Sequence, residues 1–277
     1  MNKTLRTVLI IIFAAVFLLC AAFLADYLIK SVKQQKQTDD LASLIGAANP
    51  DDYTDPTAGS DDPAIDTPLP QDSKYVHIKH PVTGKYMSIL REYAPLYELN
   101  HDFVGWIRID GTKVSYPVMQ SPEWVNYYLK RDFYGNESRH GTIYANESAN
   151  LQEHSDNITL YGHKMKDGSM FASLHNYKDK AVFDAQPYIE FDTIYDYNTY
   201  QIMAVFITDA YIETGFAYHN FVDGNEESFN AFVAKCKELA LYDTGVDAVY
   251  GDKLLTLSTC EHSINNGRFV VVAKKIS

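Results

Sequence analysis

The stretch Lys253-Leu254-Leu255-Thr256-Leu257-Ser258-Thr259-Cys260 reads as a buried strand over 253–259 that delivers a thiol to its end. A strand end is rigid yet reachable, which suits a nucleophile. The plainer alternative is a small apolar residue closing a core. At its ordinary pKa of about 8.5 a thiol is only a few per cent thiolate near neutral pH. Chemistry at Cys260 therefore requires a cation or a base close by.

Two residues answer that requirement. Arg268 opens the last expected strand, Arg268–Lys275, eight residues after Cys260. A loop of that length lets the two strands pair as a hairpin with Cys260 and Arg268 facing across its mouth. A permanent cation there can lower a thiol pKa or bind a developing oxyanion. The alternative for Arg268 alone is a surface ion pair. His163 ends Leu160-Tyr161-Gly162-His163, which also follows an expected strand (157–161), with a glycine to let the chain turn. His262 competes by proximity alone. The other seven histidines lie in polar stretches and read as surface residues.

Working outward, Phe103–Ile109 reads as a strand ending at the turn signal Asp110-Gly111. Val114–Met119 is a second strand, and its internal Pro117 predicts an edge or a bulge. Further strands are expected near 141–145, 188–192, 198–208 and 268–275. Tyr86, Ile89, Leu90 and Tyr93 recur at helical spacing before Pro95. A helix is expected over 226–241, where Phe229, Phe232, Val233, Cys236 and Leu239 form one apolar stripe. Cys236 thus reads as a core thiol. Many short strands with few helices suggest a closed barrel or a sandwich.

The chain has 277 residues, 46% of them hydrophobic, and a net charge of −12. Its three cysteines exclude a disulfide scaffold. The acidic balance excludes a non-specific nucleic-acid binder, which needs a basic footprint. The charge is unevenly spread: +4 over residues 1–36, −9 over 37–73 and −7 over 74–277. Val8–Ala25 is an unbroken apolar run of 18 residues. As a helix it would span about 27 Å, close to the hydrocarbon thickness of a bilayer. Lys3 and Arg6 precede it, which predicts a cytoplasmic N-terminus. A cleaved signal peptide is the alternative, but a good small-x-small cleavage site is missing. Residues 1–30 are thus expected to be a signal anchor with Cys20 inside the membrane. Residues 31–73 are expected to be a flexible acidic linker, and 74–277 an extracytoplasmic domain. The aspartates of the linker lack the calcium-loop pattern.

Thr256-Leu257-Ser258-Thr259-Cys260, the later Arg268 and the upstream Tyr161-Gly162-His163 resemble the sortase signature. Gly105-Trp106-Ile107, Gly111-Thr112, Val114 and Tyr116-Pro117-Val118 resemble the start of the sortase domain in class B. The run 161–171 is similar to class B as well, and the likeness covers about residues 86–277. It implies a mainly β fold with added helices. The core would be a closed eight-stranded barrel with N-terminal helices before residue 103. The helix at 226–241 would be inserted between strands six and seven.

The resemblance also implies a mechanism. Cys260 would attack a Thr carbonyl in an Asn-Pro-x-Thr-like, or related, C-terminal sorting motif of a secreted protein. His163 would protonate the leaving amine, and Arg268 would stabilise the oxyanion. An amine of a lipid II-type peptidoglycan precursor would resolve the acyl-enzyme, and no cofactor is implied. Ser258, Glu261, Tyr211, Ile212 and Tyr161 match substrate-binding positions. Asn146 stands where the family often has an acid. Three alternatives remain open at this level: a mainly hydrolytic membrane-tethered cysteine peptidase, a pilus-polymerising sortase and a non-catalytic barrel. A papain-type peptidase is disfavoured because His163 precedes Cys260.

Overall fold

The computed structural model describes residues 3–47, 69, 73–121, 123–209 and 215–277. Tyr211, Ile212 and most of the expected linker lie outside the described residues. The chain separates into two compact units, Met1–Asp40 and Leu41–Ser277.

The first unit holds most of α1 (Lys3–Ala42), a 40-residue helix that contains the whole apolar run. It is long and apolar enough to cross a membrane. The helix passes residue 30, where the sequence suggested that the anchor gives way to a linker. The physical reason is local: 33–37 is an unbroken run of Lys and Gln, both good helix formers, and the first glycine comes only at Gly46.

The second unit opens with β1 (Tyr75–Lys79) and β2 (Tyr86–Leu90), an antiparallel hairpin. The helical spacing of Tyr86, Ile89 and Leu90 is thus a strand in the structure. Ile89 and Leu90 are both fully buried, and the Leu90 N–H donates to the Ile194 carbonyl. Burial of consecutive residues erases the two-residue period, and what remains mimics a helix. A 3₁₀ turn (Arg91–Tyr93) and the short α2 (Ala94–Leu99) follow, the helical segments before residue 103.

The barrel strands are β3 (Phe103–Arg108), β4 (Ser115–Met119), β5 (Ile143–Ala145), β6 (Asn157–Tyr161), β7 (Tyr188–Thr193), β8 (Thr199–Asp209), β9 (Leu254–Glu261) and β10 (Gly267–Lys275). They close in the order β10-β8-β7-β3-β4-β5-β6-β9. The contacts β4–β5 and β6–β9 are parallel, and the others are antiparallel. A closed barrel has no edge, so β4 with Pro117 is interior. Its pairing with β5 takes up only at Val118, one residue past the proline. Pro117 itself pairs in register with Trp106, and the one register shift of this pair falls on β3, between Phe103 and Gly105, so β4 carries neither the expected edge nor the expected bulge.

Alternation sorts the side chains. Ile158, Leu160, Leu255, Leu257, Phe269 and Val271 fill the barrel. The alternate residues of β8 and β10 face outward, where Phe206, Val270 and Val272 pack under α4 (Glu226–Leu239) through Phe229, Val233 and Cys236. Burial of β9 on both faces explains why 253–259 reads as a continuous run. Asn225 caps α4 by accepting from the Ser228 N–H at 3.0 Å. Counted along the chain from β3, β8 and β9 are the sixth and seventh barrel strands, so α4 lies where the resemblance implied.

Candidate active site

Three strand ends converge on one rim of the barrel. Cys260 is the penultimate residue of β9, half-buried and not in a disulfide. Arg268 is directly opposite it on β10. On the other side of β9, the parallel ladder pairs Tyr161 of β6 with Ser258. His163 is two residues beyond Tyr161, as Cys260 is two residues beyond Ser258. Register therefore brings the end of β6, from which His163 follows, to the rim where Cys260 and Arg268 face each other. Gly162 makes the turn between Tyr161 and His163 and has no room for a side chain. A Cβ there would meet Ile143 Cδ1 at 2.5 Å and Phe171 Cδ2 at 2.7 Å.

His163 is oriented by a residue that sequence reading did not supply. Its Nε2 is 2.7 Å from the carbonyl oxygen of Leu129, in the 3₁₀ turn Tyr127–Lys130. A carbonyl only accepts, so Nε2 carries the proton and Nδ1 is the nitrogen left for proton exchange. The Arg268 guanidinium donates from Nη1 to the Gly267 carbonyl at 3.0 Å and the Asn266 carbonyl at 3.2 Å. Its Nε and Nη2 have no partner among the described residues. A guanidinium held by one edge presents the other.

The outward faces of β5, β6 and β9 form an aromatic wall beside Cys260. The Tyr144 and Tyr161 ring centroids are 5.2 Å apart. Tyr218 and Ser258 share a 2.6 Å hydrogen bond between their hydroxyls, both buried. Asn146 Nδ2 is 3.4 Å from both the Tyr161 hydroxyl and the His219 carbonyl. Burial pushes the Tyr144 and Tyr218 hydroxyls up and holds Tyr161 at about 12, with Arg268 pulling the other way. All three remain protonated donors near neutral pH. Burial and then the Arg268 charge push the His219 imidazole down.

The remaining expected residues fall in different places. Glu261 is buried, and its carboxylate turns away from the wall. Oε1 accepts from the backbone N–H groups of His262 and Ser263, each at 2.9 Å. Oε2 is 2.7 Å from Lys178 Nζ and 3.1 Å from His175 Nδ1. Burial alone would raise this carboxyl, but Lys178 and the Ser263 N–H outweigh it and hold it at about 2. His262 is exposed on the loop after β9. His175, which read as a surface histidine, instead has Nε2 3.0 Å from the Cys260 carbonyl. Its only sequence signal is its place twelve residues after His163. No group of three or more His, Cys, Asp or Glu that could hold a metal occurs among the described residues.

A thiol with a guanidinium across the ladder and an oriented imidazole at the next strand end is equipped for acyl transfer by a cysteine. The comparisons with known proteins agree. The sortase domain matches residues 107–276. Sortase B of Listeria monocytogenes is 34% identical over 213 residues, covering 74% of this chain and 83% of that protein. Sortase B of Staphylococcus aureus is 33% identical over 191 residues, covering 67% and 75%. A crystal structure of sortase B from Bacillus anthracis superposes with a TM-score of 0.67 at 26% identity, over 90% of this chain and 99% of that one. A sortase B–substrate complex from S. aureus superposes with a TM-score of 0.62 at 30% identity, over 68% and 86%. The chain belongs to the sortase family of cysteine transpeptidases, in its class B.

Proposed function

We propose that the chain cleaves a C-terminal sorting motif, Asn-Pro-x-Thr-like or related, after its Thr and transfers the protein to a peptidoglycan-precursor amine. The observation that carries this is the pairing of Cys260 with Arg268 beside His163 at the end of β6. In the first half-reaction the proton of the Cys260 thiol sits on His163 Nδ1, and the resulting thiolate attacks the Thr carbonyl carbon. The carbonyl electrons move to oxygen, and the open edge of the Arg268 guanidinium stabilises that oxyanion. On collapse the C–N bond breaks, and His163 gives its proton from Nδ1 to the leaving amine. In the second half-reaction the acceptor amine attacks the thioester, His163 takes a proton from it, and Cys260 leaves as thiolate.

Ser258 and Tyr161 lie on the wall that a bound motif would follow, and Tyr211 and Ile212 are proposed to join them. Glu261 is assigned differently, because its carboxylate is engaged behind the strand. The apolar stretch of α1 is proposed to anchor the protein with the N-terminus in the cytoplasm and the barrel outside. The test is mass spectrometry of the full chain in detergent with a library of sorting peptides, with and without an amine acceptor. The expected result is a Thr thioester on Cys260 that the amine converts to a transpeptidation product. Cleavage without a Cys260 adduct would refute the mechanism, and an adduct released only by water would refute the transfer.

A further inference from the structure

Behind the catalytic strand end lies a group of side chains that the two half-reactions do not use. The β6–β9 ladder ends at the pair Tyr161 and Ser258, and the Gly162 N–H adds one more bond to the Ser258 carbonyl at 3.1 Å. Alternate carbonyls of a strand point to the same side. The Cys260 carbonyl is therefore also turned toward β6, at a level where β6 has ended and the chain has swung away. A backbone carbonyl without a donor is costly at a half-buried position.

His175 fills that vacant ladder position. It comes from the 3₁₀ segment Phe171–Lys178, and its Nε2 is 3.0 Å from the Cys260 carbonyl oxygen. The ring stacks on the fully buried Phe269 at 4.6 Å between centroids. Its Nδ1 is 3.1 Å from Glu261 Oε2 and 3.4 Å from Lys164 Nζ. Lys178 holds the same carboxylate oxygen at 2.7 Å. The charged groups facing the imidazole are thus Lys164, Lys178 and Glu261. Because Nε2 must donate, a neutral ring accepts at Nδ1 from Lys164, and a protonated ring donates there to Glu261. Burial, with Lys164 next, pushes His175 toward the neutral form.

We propose that His175 is a positioning residue for the nucleophile: its Nε2–H fixes the Cys260 carbonyl, and with it the backbone that aims Sγ between His163 and Arg268. The proposal rests on Cys260 being the nucleophile. It also gives the Glu261 carboxylate a role, as the anchor for the first turn of the loop that leads to Arg268, through the His262 and Ser263 N–H groups. Small errors in the aim of a reacting atom cost rate and not affinity.

The test compares His175→Phe, which keeps the stack and loses the donor, with His175→Gln, which keeps a donor. Both are assayed as full chain for sorting-peptide cleavage, with thermal melting and Cys260→Ala in parallel. His175→Phe is expected to lose about tenfold or more in kcat with KM within about twofold, and His175→Gln to recover most of that loss. If His175→Phe does not fold, His175→Asn, too short to reach the carbonyl, takes its place. Wild-type kcat in the donor-less variant, or equal kcat in both variants at equal melting temperature, would overturn the proposal. Cleavage by Cys260→Ala would instead overturn the nucleophile assignment.

Discussion

Arg268 stands directly across the ladder from Cys260, at a position where β9 turns its backbone polar groups toward β6. Such non-hydrogen-bonded pairs in antiparallel strands bring side chains closest together. The fold itself therefore sets a permanent cation beside the thiol.

The first prediction follows from how that guanidinium is held. Nη1 donates to the Gly267 and Asn266 carbonyls, which leaves the other edge open. An ammonium has no second edge. Arg268→Lys is expected to lose about 100-fold or more in kcat, the scale seen when one oxyanion donor is removed. Steady-state kinetics on a sorting peptide checks this, and turnover near that of the wild type would refute the role.

Cys260→Ala is expected to abolish acyl-enzyme formation and leave the fold intact. Cys260 is half-buried at the barrel rim and fills no core volume. Intact-mass spectrometry with excess peptide and a thermal melt are the two readouts. A persisting adduct would move the nucleophile elsewhere.

Much of this was legible in the chain because it is local. The strand 157–161 is set by its own apolar run and the glycine after it, and α4 by its stripe and its Asn225 cap. Cys260, His163 and Arg268 each sit at the end of such a run, so strand boundaries alone located them. Other features depend on which strands pair. His175 reaches the Cys260 carbonyl across 85 positions of sequence, and the Leu129 carbonyl reaches His163 across 34. Neither contact leaves a periodic mark. The hairpin β1–β2 was hidden for a related reason: Leu90 is buried beside Ile89 by the β7–β8 turn, which masks the alternation.

Tyr218→Phe is expected to weaken substrate binding more than turnover. The change removes the partner of Ser258 Oγ at 2.6 Å and leaves that hydroxyl buried without a bond. An unsatisfied buried hydroxyl costs about 1–3 kcal/mol. The wall at Ser258 must then repack or admit water. A rise in KM of about threefold or more with kcat within about twofold is the expected result, and an unchanged KM would remove Tyr218 from the wall.

Cys236→Ser is expected to cost stability without touching the chemistry. Cys236 is fully buried among Phe206, Phe229 and Val270, and burial pushes its thiol well above the ordinary range. A hydroxyl placed there is left without a designed partner, at a cost of about 1–3 kcal/mol. The melting temperature should fall by several degrees while kcat per folded molecule stays the same. In the native wild type, iodoacetamide should label Cys260 and spare Cys236.

Glu261 makes stability depend on acid in a defined direction. Its carboxyl is held at about 2, below the ordinary 4.5, because Lys178 and the Ser263 N–H outweigh burial. A group with a depressed folded pKa contributes stability that is fully present above the unfolded value and is lost as pH falls through the folded one. The contribution of Glu261 is thus complete above about pH 5 and fades between about pH 4.5 and 2. Glu261→Gln cannot ionise and lacks this contribution at every pH. The gap in melting temperature between wild type and Glu261→Gln should be widest near neutral pH and should narrow steadily as pH drops toward 3. Melting curves across that range decide the matter. A gap that is constant with pH would mean that the carboxylate charge contributes nothing, and that Gln acts only through its altered hydrogen bonding to His262 and Ser263.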